Sequence, residues 1–353
     1  MKACIISLGA KSSKDVAKEC KNYFKKVDHL NLKKIRVHVS SKGLRVFYED
    51  KDLEDYDCVY IRGSHKYSLL KRSITSALMD KVYVPISPSS FTIGNDKFLT
   101  MLHLARKKVP IPKTYLAMNA KKAREILKEV NYPIIMKVPS GTQGKGIVFA
   151  DTEQSAKSVL DLFEVLKQPL IIQEFIDTSA TDVRAIVVGD KVVASMKRIA
   201  KKGDLRANFH MGGKCRKYEM SYEAQEVAIN AAKAVKAEIC GVDILEGRKP
   251  MVIETNLSPG FQGLNKAIKK NVGEPIAKYL FEKTKEFKES GKKKDVDEIM
   301  NGLEKSHEII TNLNIKEGVI KIPRAVASVT KFDSDKEVVI KVEKGKLLIE
   351  DYK

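Results

Sequence analysis

The sequence predicts a multidomain α/β protein, and three observations carry that expectation. Strands and helices alternate from the N-terminus to about residue 285. A glycine-rich turn joins two apolar runs in I-M-K-V-P-S-G-T-Q-G-K-G-I-V-F-A-D-T, residues 135–152. The rhythm then breaks at a lysine- and acid-rich stretch, and the last forty residues are rich in strand formers. A chain of 353 residues is ample for a large core, with two or three domains the ordinary expectation.

The elements follow in order. Residues 2–8 read as a strand, 13–27 as an amphipathic helix, 35–39, 44–48 and 57–61 as short strands, and 66–80 as a helix. V-Y-V-P-I-S-P-S-S breaks the pattern, so a small α/β domain is expected over residues 1–92. A helix follows from I-G-N-D-K-F, with Asn95 or Asp96 as N-cap, and then an extended link, V-P-I-P-K-T-Y-L-A. Residues 119–131 are predicted helical, 133–138 and 146–150 strands, 152–167 a helix and 170–174 a strand. This places two helices against a sheet, with the glycine loop at the sheet's tip. Two strands flank the turn G-D within 181–200, and a helix spans 221–237. The strands I-C-G-V-D-I-L and P-M-V-I-E-T-N precede a final helix pair. The second domain thus runs over 93–285. Residues 286–312 read as a charged helix or linker, and 313–353 as a small β-rich module.

The formal charge is +20, with an isoelectric point near 9.5. That balance favours anionic partners without choosing among nucleotides, acidic metabolites and nucleic acid. Trp is absent while Lys, Glu and Ile are abundant, a bias that hints at a thermophile or an AT-rich genome. Five scattered cysteines contain no C-x-x-C pair, which fits a reducing cytoplasm. The N-terminal apolar run is too short for a signal peptide, and no segment approaches the ~20 apolar residues of a membrane span. No membrane association is expected, and the predicted compartment is the cytoplasm.

Chemistry concentrates at strand ends. The glycines match neither G-x-G-x-x-G nor G-x-x-x-x-G-K-[ST], and a strand rather than a helix follows them. A plain hairpin turn is as good a reading on these residues alone. Lys137 sits inside an apolar strand, where an ammonium is costly unless it meets an anion. Asp243 stands in G-V-D-I-L, and Glu254 and Asn256 stand two apart at the end of the next strand, so both face one way. Two carboxylates and an amide oxygen make a hard site suited to Mg²⁺. Ordinary strand-end charges remain the alternative for either acid alone. Q-E-F-I at 173–176 could line an adenine slot or simply pack in the core. No G-x-S-x-G or H-E-x-x-H is present.

Taken in order and spacing, N-D-K (95–97), I-M-K-V-P-S-G-T-Q-G-K-G-I-V, Q-E-F-I, T-D-V-R (181–184), V-V-G-D-K-V-V-A-S, A-K-K-G-D-L-R-A-N-F-H-M-G-G, G-V-D-I-L and E-T-N-L-S-P-G resemble the ATP-grasp superfamily. The match is to its RimK-type amino-acid ligases, from about residue 2 to about 285. The resemblance implies an α+β fold: an N-terminal domain preceding a two-lobed ATP-grasp domain. It also implies that the glycine loop, with Gly141, Gly144 and Gly146, closes over the β- and γ-phosphates. By the same resemblance Lys97 and Lys137 hold the α- and β-phosphates. Glu174, Phe175 and Ile176 take the adenine, and Asp182 lies near the ribose. Arg206 and Asn208 face the phosphates and metal region, and Asp243, Glu254 and Asn256 hold two Mg²⁺ ions, with Mn²⁺ as a substitute. Arg184 and Arg198, with Arg206, steady an acyl-phosphate, and Arg62 and Ser258 contact substrate. A plain surface salt bridge is the other reading of Arg62. One departure is Lys197, where relatives often carry an acid beside the arginine; it bears on substrate identity rather than on nucleotide chemistry.

The implied activity is an ATP- and Mg²⁺-dependent, ADP-forming ligation of a carboxylate to an amine. L-glutamate or a similar amino acid is the expected amine, and a protein C-terminus or a small acid the acceptor. A homo-oligomer is expected. The alternative is a basic nucleic-acid-binding or regulatory protein, resting on the net charge and on I-K-I-P-R-A-V and V-V-I-K-V-E-K-G-K-L-L-I, which resemble AbrB-type hairpins.

Overall fold

The computed structural model describes residues 1–41, 43–139, 146–166, 168–200, 214–303, 314–316, 319–321 and 337–351. The chain divides into two compact units, Met1–Glu289 and Ser290–Lys353.

The first unit opens with β1 (Lys2–Ser7), α1 (Lys11–Cys20), β2 (Lys26–Asn31), β3 (Ile35–Ser40), β4 (Gly43–Tyr48), β5 (Lys51–Asp52), β6 (Cys58–Ile61), α2 (Ser68–Leu78) and α3 (Pro88–Ile93). β1 is the centre of a parallel sheet ordered β2-β1-β6. It is covered on both faces, so its side chains form a continuous apolar run rather than an alternation. β2 is an edge strand whose one buried residue is Leu30. β3, β4 and β5 form a separate antiparallel meander. α3 starts on Pro88, whose fixed φ suits the first helical position.

The middle of the unit holds α4 (Lys97–Arg106), β7 (Thr114–Ala117), α5 (Ala120–Leu127), β8 (Ile134–Lys137), β9 (Ile147–Ala150), α6 (Glu153–Leu166) and β10 (Leu170–Glu174). The strands make an antiparallel sheet ordered β7-β10-β8-β9. The two-residue alternation of strands sends Ile134, Met136, Leu170 and Ile172 into a core with Leu127 and Ala123 of α5 and Leu160 and Phe163 of α6. Ile135, Lys137 and Gln173 take the opposite face.

Next come β11 (Thr181–Val188), β12 (Lys191–Ile199), β13 (Lys214–Lys217), α7 (Tyr222–Ala234), β14 (Ile239–Glu246), β15 (Pro250–Asn256), α8 (Gln262–Ile268) and, up to Glu289, the first part of α9 (Gly273–Leu303). Their antiparallel sheet is ordered β13-β12-β11-β14-β15. Its core residues, such as Val183, Ile186, Val242 and Ile244, continue without a break into Ile5, Tyr60 and Phe91 of the N-terminal part. The four-stranded lobe keeps a core of its own. Two lobes with separate cores therefore face each other, and the space between them is a cleft rather than packed interior.

In the second unit, β16 (Asn314–Lys316) pairs with β17 (Val319–Lys321), and β18 (Val338–Glu343) pairs with β19 (Lys346–Asp351). Gly345 turns the latter hairpin at φ +77°, where a glycine carries no steric penalty.

Candidate active site

Strand register builds the charged floor of the cleft. On β12, β11, β14 and β15, Arg198 lies opposite Asp182, Arg184 opposite Asp243, and Asp243 opposite Glu254. Asp182 and Arg184 are two apart on one strand, so all five side chains share the face that α7 does not cover. The pairing of β14 with β15 shifts at Asp243/Ile244, which makes Ile253 the extra residue of a bulge. Val252 thereby pairs with Ile244 in the core, while Glu254, two residues on, pairs with Asp243 on the cleft side.

The ladder is tightly bonded. Arg184 donates to Asp243 through Nε (2.7 Å) and Nη2 (2.6 Å). Arg198 donates through Nη2 to Asp243 Oδ2 (2.8 Å) and through Nε to Asp182. Burial opposes the charge on Asp243, but the two guanidiniums outweigh it and hold the carboxyl down at about 2. Asp182 shares only one of these arginines, and burial pushes it above the usual carboxylate range. Glu254 is also pushed up, first by the loss of water around it and then by the charge of Asp243. A dication beside it would offset both effects.

The opposite wall comes from the four-stranded lobe. Lys137 is 6% exposed and donates to Gln173 Oε1 at 2.8 Å. Ile171 lies opposite Lys137 and Ile135 opposite Gln173, so the two polar side chains are diagonal neighbours on the cleft face. Gln173 is itself fixed by donating to Thr114 Oγ1 at 2.7 Å. An amide satisfies one donor of the ammonium without neutralising it. Burial, together with the charge of Lys97, brings Lys137 down to about 8. Lys97 opens α4, where the side chain of Asp96 accepts from the Leu99 backbone at 2.8 Å as the N-cap. Its ammonium too is lowered by burial, against the pull of Glu254.

These residues enclose a cavity of about 160 Å³. It brings together Lys97, Lys137, Glu174, Phe175, Ile176, Asp182, Arg198, Asp243 and Glu254 from the sequence-derived set. Gln173, Ile135, Ile147 and Leu245 line it as well; the sequence assigns none of them a role of its own, although Gln173 opens the quoted Q-E-F-I. Phe175 is braced edge-on by Phe149, with ring centroids 5.1 Å apart. Arg184, on the same face, is the bidentate partner of Asp243. Gly146 holds φ +74° at the start of β9. Gly141, Gly144, Arg206 and Asn208 lie outside the described residues.

Asn256, Arg62 and Ser258 belong to a second, larger cavity of about 660 Å³. Glu254 lines both cavities. Arg62 is no surface residue: it is 2% exposed and donates to Ser13 Oγ (3.1 Å), Tyr60 OH (2.8 Å) and the Pro259 carbonyl (2.7 Å). Ser258 Oγ accepts from the Gly63 backbone at 3.0 Å, and its own N–H donates to Asn256 Oδ1 at 2.9 Å.

The donor set fits a hard cation bound together with phosphate. Oδ2 of Asp243 accepts two guanidinium bonds and Oδ1 accepts one, which leaves a lone pair on Oδ1. Asn256 Oδ1 retains a lone pair too, though it faces the larger cavity.

Solved structures share this fold. The chain resembles PsnB, an ATP-grasp ligase complexed with minimal precursor, Mg and ADP (TM-score 0.63, 17% identity, 80% of this chain and 98% of that one). It also resembles a Chryseobacterium gregarium RiPP-associated ATP-grasp ligase in complex with ADP and a leader and core peptide (TM-score 0.62, 15% identity, 80% and 97%). The RimK-like ATP-grasp domain model matches residues 94–280. A probable alpha-L-glutamate ligase of Cellvibrio japonicus is 35% identical over 291 residues, 81% of this chain and 97% of that protein. A Coxiella burnetii protein of the same description is 34% identical over 267 residues, 74% and 89%. The chain belongs to the RimK-like ATP-grasp family and is an ATP-dependent, ADP-forming ligase. The family and fold expected from the sequence are thus the ones observed.

Proposed function

We propose that the chain joins L-glutamate through its amine to an acceptor carboxylate, on a protein C-terminus or a small acid. The observation that carries this reading is the meeting of two cavities at Glu254. The smaller, between two lysines and a carboxylate floor, has the charges that the phosphates of a nucleoside triphosphate and Mg²⁺ call for; the larger suits the acid and the amine. The alpha-L-glutamate ligase names of the relatives support glutamate as the amine.

A carboxylate is a poor electrophile. Transfer of the γ-phosphoryl group to a carboxylate oxygen releases ADP and turns that oxygen into a leaving group. The amine nitrogen then attacks the carbonyl carbon, loses a proton and expels phosphate. Lys97 and Lys137 offset the charge of the triphosphate, and the Asp182–Arg198–Asp243–Arg184 ladder keeps the floor rigid. Asp243, Glu254 and Asn256 would hold two Mg²⁺ ions, which lower the repulsion between acid and triphosphate when bound. Glu174, Phe175 and Ile176 form the adenine end, with Asp182 toward the ribose. The glycine loop, Arg206 and Asn208 complete the proposed set.

Incubation with ATP, Mg²⁺, L-glutamate and a cell metabolite extract should give an acceptor heavier by one glutamyl unit, with matching ADP. ATP turnover that never depends on glutamate would overturn the glutamate assignment. Glu254→Gln should abolish ADP release while leaving the circular dichroism spectrum unchanged; wild-type turnover in that variant would remove Glu254 from the metal site.

A further inference from the structure

Lys71 of α2 is 3% exposed and lines the 660 Å³ cavity. Its ammonium donates to the Gly63 carbonyl at 3.1 Å and lies 5.0 Å from the Phe91 ring centroid. Neither contact carries a negative charge. Arg62 lines the same cavity, and only three of its five N–H donors are used by Ser13, Tyr60 and Pro259. Among the described residues lining the cavity the cations are Arg62, Lys66 and Lys71, and the one acid is Glu254. Glu254 belongs to the nucleotide side of the cleft. Two buried cations thus share a cavity in which no acid is set aside for them. Burial, then the charge of Arg62, lowers Lys71 to about 8, the direction expected where no anion compensates.

We propose that Lys71 and Arg62 form a seat for a second, non-reacting carboxylate of the substrate, so that the enzyme selects a dicarboxylate or an acidic peptide end. This rests on the ligase reading for the reacting end. A ligand in the larger cavity presents one end to Glu254, where the two cavities meet, and the other to the Lys71 seat. A volume of about 660 Å³ lies within the range of small-molecule sites, generally ~300–1,000 Å³. Charge-assisted bonds to buried cations would make the seat a determinant of affinity rather than of chemistry. The carboxylate could come from the incoming glutamate or from the acceptor, and the two sources can be told apart directly.

The test is calorimetric titration of the full chain, saturated with Mg²⁺ and a non-hydrolysable ATP analogue. The ligands are L-glutamate, L-glutamyl-L-glutamate and, as a monocarboxylate, butyrate. A dicarboxylate should bind the wild type, and Lys71→Met should weaken it by about 10-fold or more, the scale of one charged hydrogen bond. Lys71→Arg should restore most of that loss, and weak butyrate binding should not change. Loss confined to L-glutamate assigns the seat to the amine substrate; loss confined to the dipeptide assigns it to the acceptor. Equal binding by wild type and Lys71→Met, butyrate as tight as the dicarboxylates, or no binding of any of the three would overturn the seat. Lys71-dependent binding without any glutamyl product in the ligation assay would leave the seat standing and sink the glutamate reading instead. Lys71→Met removes a buried charge, and its melting midpoint reports whether it folds.

Discussion

Lys137 shows how much one side chain can decide. Its ammonium meets a neutral amide in the free protein, and burial with Lys97 nearby lowers it to about 8. Phosphate binds the charged form, so ATP affinity should fall as pH rises through about 8. Stability of the free protein should move the other way. The unfolded lysine titrates near 10.5, so between about 8 and 10.5 the folded state holds fewer protons and gains stability as pH rises. Lys137→Met should weaken ATP binding by about 10-fold or more, roughly 1.4 kcal/mol, and flatten the pH dependence. Calorimetry at two pH values checks both, and an unchanged affinity would return Lys137 to a structural role with Gln173. Arg198 is a different case, because it neutralises Asp182 and Asp243 together. Arg198→Met leaves the buried Asp182 without its guanidinium and Asp243 with Arg184 alone, and should cost about 3 kcal/mol or more. Denaturant unfolding would show it as a lower midpoint with an unchanged slope.

At the scale of elements, Gly241 on β14 is held to glycine by its neighbour. A Cβ there would stand 2.8 Å from Pro259 Cβ, in the turn that carries Ser258 and accepts from Arg62. Gly241→Ala should therefore displace that turn and destabilise by about 1–3 kcal/mol. A stability equal to wild type by thermal melting would show that the turn yields freely. Strands with strong alternation or full burial were legible in sequence: 170–174 coincides with β10, and the strands around the turn G-D coincide with β11 and β12 to within a residue. β2 was not, because an edge strand buries little and its K-V-D-H-L-N shows no period. The helix over 13–27 therefore ran too far, where α1 ends at Cys20. α3 was hidden by its serines and Pro88, and tertiary burial of Phe91 and Ile93 sustains it. In the site, the charged residues stood out because charge inside apolar strands is costly. The side chain of Gln173, quoted only within Q-E-F-I, did not stand out as the partner of Lys137, although its place on the face of Ile135 and Lys137 follows once β8 and β10 are paired. The bulge at Ile253 and the burial of Lys71 depend on partners far along the chain, which no local pattern reports.

At the scale of the whole molecule, every described residue of both cavities lies within Met1–Glu289. The unit Ser290–Lys353 contributes strand pairs whose apolar residues, Ile340, Val342, Leu347 and Leu348, are exposed. An isolated two-stranded hairpin is marginally stable in water, and exposed apolar side chains invite cover. We expect residues 313–353 of this unit to govern assembly or acceptor recruitment rather than chemistry. A chain ending at about residue 310 should bind an ATP analogue as the full chain does, because no residue assigned to nucleotide is removed. Its mass by light scattering, or its choice among acceptors, should change. If the shortened protein is folded by circular dichroism but no longer binds nucleotide, the tail would have to stand against the active site. Unchanged mass together with unchanged acceptor preference would remove both roles from it.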